Sequence, residues 1–444
     1  MSKKVFLKGT LILACTGLVS RIAGFFYRIF LSHAIGAEGL GLYQLILPLQ
    51  GLMAALSYTG IQSALSRLIA SRLALQEKKE AYFSLVTGIF AAVFFSAVTG
   101  FLLFRHADFF ASTILKAPGT SDLLRLTATS IPLCAIHSCI DSYYYARKKA
   151  SVPAAVQLSE QAVRIGATYI LYLIFLSEGR PVTAMIAAGG SLAGEAAASL
   201  ISLLMVSFHF GNHPVKEKTS VKIFPLIKDL FTLSFPISLN RILLTLLGSI
   251  EAVLIPQMLI RCGMTSSEAL KIYGIFTGMA LPLLLFPSTL TTSAAVMLMP
   301  SVARMDALGD QKQIRHVTDQ TFFLCMFLGF LCGSGFFLFG PFLGTLLFHS
   351  KTAGTYIRYL SFICPFLYTN TMLTSILQGL GRPGRCLIHS AAGILIRIFS
   401  VVFMIPAIGI RGYFYGIFLG ELLLSLLHVK ALKFPYRQAG DNRL

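Results

Sequence analysis

The chain has 444 residues, of which 55% are hydrophobic and only 12% charged, and its mean hydropathy is +0.75. A soluble domain carries roughly 25% charged residues, so this composition excludes an ordinary soluble globular protein. The formal net charge of +19 points to no nucleic acid, because the basic residues fall in short connections between apolar runs, where membrane topology accounts for them.

Taken in chain order, the apolar runs read as twelve helices of the length that crosses a bilayer, about 20 residues or more. Their approximate limits are 7–31, 43–66, 81–104, 123–146, 154–176, 182–208, 231–257, 269–299, 317–342, 355–379, 387–407 and 410–429. The expected class is therefore an all-α integral membrane protein. Lys3, Lys4 and Lys8 precede an apolar stretch too long for a signal-peptide core, so the first span is expected to be retained.

Charge in the connections tests the count. With the N-terminus in the cytoplasm, the inner loops carry Arg67, Arg72, Lys78 and Lys79, then Arg147, Lys148 and Lys149, then Lys216, Lys218, Lys222 and Lys228. Arg304, Lys312, Arg315, Arg382 and Arg385 follow, and the tail adds Lys430, Lys433, Arg437 and Arg443. The outer loops are poorer in basic residues. A missed span would invert this alternation downstream of the error. A multi-pass protein of the cytoplasmic membrane with both termini inside is expected.

The longest polar connection, 209–230, contains an amphipathic stretch over 221–228 that reads as a helix lying on the inner leaflet. It divides the chain into an N-terminal six-helix lobe, 1–208, and a C-terminal six-helix lobe, 231–444. Six spans per half make both halves start inside, so any internal repeat is a parallel one. The tracts Ser57-Tyr58-Thr59-Gly60 and Ser288-Thr289-Leu290-Thr291-Thr292-Ser293 lie at similar depths in spans two and eight.

A charge at the bilayer centre costs at least about 2.5–3.5 kcal/mol and usually faces a bundle interior or water. Here the spans hold Arg21, Arg28, Asp141, Glu160, Arg164, Glu195, Arg241, Glu251, Arg397 and Glu421. That number implies a hydrated cavity between the halves. Arg21 and Arg28 lie two helical turns apart on one face of span one. At 1.5 Å per residue Arg21 sits roughly 20 Å from the inner end and reaches neither surface easily. Arg28 is close enough to the outer end to snorkel. Together they read as an anion stripe, since guanidinium forks bind phosphate in bidentate fashion, or as an internal ion pair and an outer anchor. Glu160 and Arg164 share a face at i, i+4 and suit either a salt bridge or a coupling site. Glu195, after Gly194, could bind a cation, take a proton or pair with Arg164. Arg241 and Glu251 are expected on broadly similar faces of span seven, and Arg397 is a further anion candidate. Asp141, beside Tyr143, Tyr144 and Tyr145, reads as part of an interfacial belt, and Glu421 as structural.

No Walker A, H-E-x-x-H or G-x-S-x-G pattern occurs, so no enzyme activity and no metal or cofactor is expected. The eight cysteines form no C-x-x-C pair and read as small apolar side chains. The nine histidines are scattered and read as loop or interfacial residues.

The opening Phe6-Leu7-Lys8-Gly9-Thr10-Leu11-Ile12-Leu13, followed by Ser20-Arg21-Ile22-Ala23-Gly24-Phe25-Phe26-Tyr27-Arg28, resembles the stage V sporulation protein B family. Glu38-Gly39-Leu40-Gly41-Leu42-Tyr43, Glu160-Gln161-Ala162-Val163-Arg164-Ile165, Ala193-Gly194-Glu195 and Gln378-Gly379-Leu380-Gly381-Arg382 match the same family in order. It belongs to the polysaccharide-exporter branch of the MOP superfamily, with MurJ-type lipid II flippases and MATE drug antiporters as more distant relatives. The resemblance implies two six-helix lobes around a central cavity that opens alternately inward and outward. It implies an undecaprenyl-linked sugar as substrate, a peptidoglycan precursor above all. MurJ-type flippases place arginines in a first-span motif similar in position to Arg21 and Arg28, though six rather than seven residues apart, and the family's usual fourteen spans exceed the twelve counted here.

The expected function is a flippase for a lipid-linked anionic glycan precursor. Arg21, Arg28, Arg241 and Arg397 would hold its pyrophosphate. Glu160, Arg164, Glu195 and Glu251 would form ion pairs in the substrate-free protein or bind a coupling Na+ or H+. Membrane lipids and cell-wall synthesis enzymes are the expected partners. A MATE-type antiporter would want a carboxylate-dominated cavity, a scaffold an uncharged interior, and a membrane glycosyltransferase a large outer loop.

Overall fold

The computed structural model describes residues 3–212 and 223–433. Among these the chain is helical almost throughout, and no strand occurs. The helices are α1 (Lys3–Ala34), α2 (Gly36–Ser57), α3 (Thr59–Ala74), α4 (Lys78–Arg105), a short α5 (Ala107–Phe109), α6 (Ser121–Ala146), α7 (Ser151–Ser177), α8 (Met185–Asn212) and α9 (Ile223–Arg261). Then come α10 (Ser266–Gly274), α11 (Leu281–Leu285), α12 (Ser288–Ala307), α13 (Gln311–Phe348), α14 (Lys351–Leu360), α15 (Cys364–Gly379), α16 (Pro383–Phe403), α17 (Ile405–Ile408) and α18 (Ile410–Lys433).

Ten helical segments of the described residues are long and apolar enough to cross a membrane. They include α2, α4, α6, α8, α9, α13, α16, most of α18, and the broken pairs over Ser266–Leu285 and Lys351–Gly379. Helices α1 and α7, with 32 and 27 residues, are also long enough, and their polar residues Arg21 and Arg28, Glu160 and Arg164 set them apart in composition. The twelve expected spans are thus found close to their expected limits. A lipid-facing surface explains an otherwise unstable exterior. Phe90, Phe94 and Phe101 on α4, and Phe323, Phe327 and Phe330 on α13, are all more than half exposed, which water would not tolerate over so large an area.

The polar connection expected over 209–230 is described only in part. Residues 213–222 lie outside the described residues, as does the tail from 434. Residues 223–230 form the first turns of α9 and run into the span without a break.

Short polar connections start several helices. Thr265 and Glu268 form a reciprocal capping box at α10, and the Asp310 and Ser350 side chains accept from the Gln313 and Ala353 amides at α13 and α14. The two polar-small tracts do something different: spans two and eight break there. Helix α2 ends at Ser57, whose hydroxyl donates to the Met53 carbonyl at 2.7 Å, and α3 starts at Thr59. Helix α12 starts at Ser288, after Pro287, with its hydroxyl donating to the Leu285 carbonyl at 2.6 Å.

The chain forms two compact units, Met1–Ile260 with Met264–Met279, and Arg261–Gly263 with Ala280–Leu444. In the first, Ile61, Leu65, Leu68, Leu85, Ala135 and Ile140 build a core between α3, α4 and α6. Tyr143 and Tyr144 belong to that core, at 4% and 3% exposure, so the interfacial belt expected there is corrected to buried packing, with only Tyr145 exposed. Helices α2 and α10 cross with backbones in contact: a Cβ at Gly41 would collide with the Leu270 carbonyl, and one at Gly274 with the Ala37 carbonyl. In the second unit, Val302, Met305, Leu373 and Ile376 form the core between α12 and α15.

Candidate functional site

In the first unit the polar residues of five helices converge. Helix α7 presents Glu160, Arg164 and Thr168 at i, i+4 and i+8, so they line one face. Helix α8 presents Glu195 to that face. Close approach is possible because Gly194 has no side chain: a Cβ there would lie 3.0 Å from the Glu160 carbonyl oxygen and 3.1 Å from the Arg164 Cβ. The Arg164 guanidinium pairs with Glu160 and, at 3.3 Å, with Glu195.

The other oxygen of Glu195 accepts from His137 Nε2 on α6 at 2.9 Å. On its far side, His137 Nδ1 faces Asp141 Oδ2 at 3.8 Å, beyond hydrogen-bond length. The Cys134 thiol, one turn before His137, lies within reach of both His137 and Glu195. A chain of contacts thus runs Glu160–Arg164–Glu195–His137 through three helices, with Asp141 3.8 Å beyond His137. Each carboxylate of the central pair is engaged, which a buried ion requires. Removing one partner of such a pair typically costs 3–5 kcal/mol, since the other charge stays buried alone.

Helices α1 and α2 close the cluster. The Tyr27 hydroxyl meets Thr168 Oγ1 at 3.0 Å, and Thr168 also donates to the Arg164 carbonyl at 2.8 Å. Tyr43 reaches Ser191 on α8 and lies in the electrostatic field of Arg164 and Arg28. Arg28 is half-buried. Among the described residues it faces Tyr43 and no carboxylate. Arg21 lies two turns away on the same helix and is exposed.

Glu160, Arg164 and Glu195 are therefore together, whereas Arg241 and Glu251 are not. Arg241 is exposed and Glu251 buried near Tyr273. Ten residues make about 2.8 turns, which offsets the two by about a quarter of a turn, so the shared face expected for them is corrected. His137 and Cys134 were missed by taking histidines and cysteines singly, and Asp141 was read as part of an interfacial belt. Their spacing at i, i+3 and i+7 on one span was the available signal.

The second unit holds a separate network. Arg397 on α16 pairs with Glu421 on α18 at 3.4 Å. Asn370 on α15 donates to the Glu421 carboxylate at 2.8 Å and to its backbone carbonyl at 2.9 Å, and Ser425 donates to Asn370 at 2.6 Å. Glu421 is structural, as expected, and its partner is the arginine that topology left unexplained.

Known proteins resemble this chain in sequence and in fold. Residues 6–306 match the family described as Polysaccharide biosynthesis protein. Stage V sporulation protein B of Bacillus subtilis (strain 168) is 30% identical over 440 residues, covering 96% of this chain and 83% of that protein. Among solved structures, Lipid II flippase MurJ in an inward closed conformation superposes with a TM-score of 0.72 at 14% identity, covering 96% of this chain and 88% of that one. An inward-facing multidrug resistance MATE family transporter of the MOP superfamily gives 0.68 at 16% identity, covering 95% and 99%. The chain belongs to the polysaccharide biosynthesis protein family, and its fold is that of the transporters and flippases of the MOP superfamily.

Proposed function

We propose that this protein is a flippase that carries an undecaprenyl-linked oligosaccharide or peptidoglycan precursor across the cytoplasmic membrane by alternating access of two six-helix lobes, 1–208 and 231–444, with both termini in the cytoplasm. One observation supports it above the others. Arg164 and Arg397 each have a carboxylate partner, while half-buried Arg28 faces only Tyr43 among the described residues. A cation in that position favours an anionic ligand, and a guanidinium beside a phenol suits the oxygens of a pyrophosphate. Arg21, two turns along, extends the same stripe, and Arg241 and Arg397 are the further contacts in this reading.

The ion pairs supply the switch. Substrate anion drawn toward Arg164 or Arg397 competes with Glu160, Glu195 or Glu421, and a ligand shifts two states only by its differential affinity for them. Freed carboxylates at Glu160, Glu195 and Glu251 would accept a coupling Na+ or H+. The family relationship to a sporulation protein supports a role in spore cortex or cell-wall synthesis, alongside the enzymes that make and use the precursor.

The deciding experiment reconstitutes the protein into liposomes with labelled lipid-linked precursors and scores their appearance in the opposite leaflet. Arg21→Ala and Arg28→Ala should each lower that rate. Full transport by both variants would sink the pyrophosphate role. A cation-coupled multidrug antiporter is the second reading, favoured by the three carboxylates around Arg164 and His137. Efflux of cationic drugs from a sensitive host, without precursor flipping, would establish it instead.

A further inference from the structure

We propose that Cys134, His137 and Glu195 form a binding site for a divalent transition-metal ion of the zinc class, with Asp141 as a positioning residue for the imidazole. The Cys134 sulfur, a His137 ring nitrogen and a Glu195 oxygen all lie within 4.8 Å of one another. A tetrahedral ion with bonds of about 2.0–2.3 Å would set its ligands about 3.3–3.7 Å apart. His137 Nε2 and Glu195 Oε2 stand 2.9 Å apart as a hydrogen bond, so the ion would take the place of that shared proton and the three ligand atoms would adjust around it.

The donor set selects the ion. Thiolate with imidazole and one carboxylate is the ligand mixture of zinc and its neighbours, whereas sodium, magnesium and calcium take oxygen. The site shares only Glu195 with the coupling carboxylates proposed above, and its sulfur and nitrogen donors favour an ion other than sodium. Cys134 and His137 sit one turn apart on α6, so a single rigid helix presents both, and Glu195 comes from α8, so the ion would clasp two spans.

Two further observations fit. His137 Nδ1 and Asp141 Oδ1 are buried without a hydrogen-bond partner. Ligation through Nε2 would turn Nδ1 into the N–H that metal-bound histidines donate to a carboxylate, and Asp141 stands 3.8 Å away, ready to close on it. The surrounding charge also suits a dication. Asp141, Glu160, Glu195 and the ligating Cys134 thiolate would carry −4 against +1 on Arg164, an excess of −3 that a dication reduces to −1. With three protein ligands, the fourth position is left to water or to an oxygen of another molecule, as in zinc sites that are not purely structural.

This inference stands apart from the flippase reading, because its test reads metal rather than transport. Full-length protein, purified in detergent with its affinity tag removed and treated with chelator, is titrated with Co2+. One equivalent should bind, with a near-ultraviolet thiolate-to-cobalt charge-transfer band that Zn2+ abolishes. Cys134→Ser should lose the band while Cys139→Ser keeps it. Asp141→Asn should retain the band but weaken cobalt binding by about 10–100-fold, an effect that a purely structural role would not produce at unchanged melting temperature. Absence of the band in the unaltered protein under saturating cobalt would overturn the proposal without recourse to any variant. A band that survives Cys134→Ser would overturn it equally, by assigning the thiolate elsewhere.

Discussion

Glu195 meets Arg164 at 3.3 Å because the residue before it, Gly194, leaves nothing between α7 and α8 but backbone and the Arg164 stem. The ion pair is thus a packing result as much as an electrostatic one. Gly194→Ala should be tolerated with a loss below about 1 kcal/mol, since contacts of 3.0–3.1 Å ask its neighbours to yield only slightly. Gly194→Leu should destabilise by about 1–3 kcal/mol through overpacking and separate Glu195 from Arg164. Thermal unfolding in detergent checks the first effect, and flipping rates in liposomes check the second. Equal behaviour of the two variants would contradict the close approach.

The cluster around Arg164 should be far more sensitive to single than to paired changes. Arg164→Met leaves Glu160 buried and uncompensated and should cost about 3–5 kcal/mol. Glu160→Leu together with Arg164→Met removes both ions, leaves Glu195 on His137, and should recover most of that loss. Its transport should nevertheless remain low if the pair takes part in switching. Recovery of stability and transport together would reduce the pair to a structural role.

This cluster also shows how far the sequence could be read. The pairing of Glu160 with Arg164 follows from i, i+4 spacing, and their meeting with Glu195 follows from the glycine beside it. His137 was harder to read, because its spacing from Cys134 and Asp141 on one span gains meaning only once Glu195 arrives from another helix, and Asp141 was masked by three neighbouring tyrosines that suggest a membrane interface. The spans themselves were legible because uninterrupted apolar runs of fixed length have few alternatives. The breaks at Tyr58 and Phe286-Pro287 were not, since Ser and Thr tracts also occur in unbroken spans, where their hydroxyls bond the preceding turn.

Arg28 offers the sharpest test of substrate contact. A hydrogen bond to a charged group is worth about 1.5–3 kcal/mol, and 1.4 kcal/mol is tenfold. Arg28→Ala should therefore lower precursor flipping by roughly 10–100-fold, with melting temperature nearly unchanged because no carboxylate is stranded. Arg28→Lys should recover only part, as an ammonium cannot form the bidentate fork. Rates are read in liposomes across precursor concentrations, and wild-type rates in Arg28→Ala would remove it from the site.

Arg72 sits at the end of α3 and holds Glu77 at 3.1 Å, Glu80 at 2.9 Å and Asp229 at 3.0 Å, so it ties the α3–α4 connection to the start of α9. Its partners are a third or more exposed, which limits the value of the clasp to about 1 kcal/mol. Arg72→Gln should lower the melting temperature slightly in dilute buffer. The gap to the unaltered protein should shrink in 1 M salt, where the screening length falls to about 3 Å. A gap independent of salt would mean that Arg72 acts by packing.

The Arg397–Glu421 pair separates structural need from substrate contact within one double-mutant cycle. Glu421→Gln preserves the shape that meets Asn370 but removes the carboxylate charge that Arg397 meets at 3.4 Å, so it should cost about 1–3 kcal/mol. Asn370→Leu deprives the Glu421 carboxylate of one donor and should cost about 1–3 kcal/mol. Arg397→Leu combined with Glu421→Leu removes both charges, and stability should return to near that of the unaltered protein. Transport then decides the role of the arginine. If Arg397 contacts the pyrophosphate, the stable double variant still flips precursor at least tenfold more slowly, and added Asn370→Leu changes nothing further. If the pair serves only to join α16 to α18, the double variant transports normally, and the anion site contracts to the first span with Arg21 and Arg28.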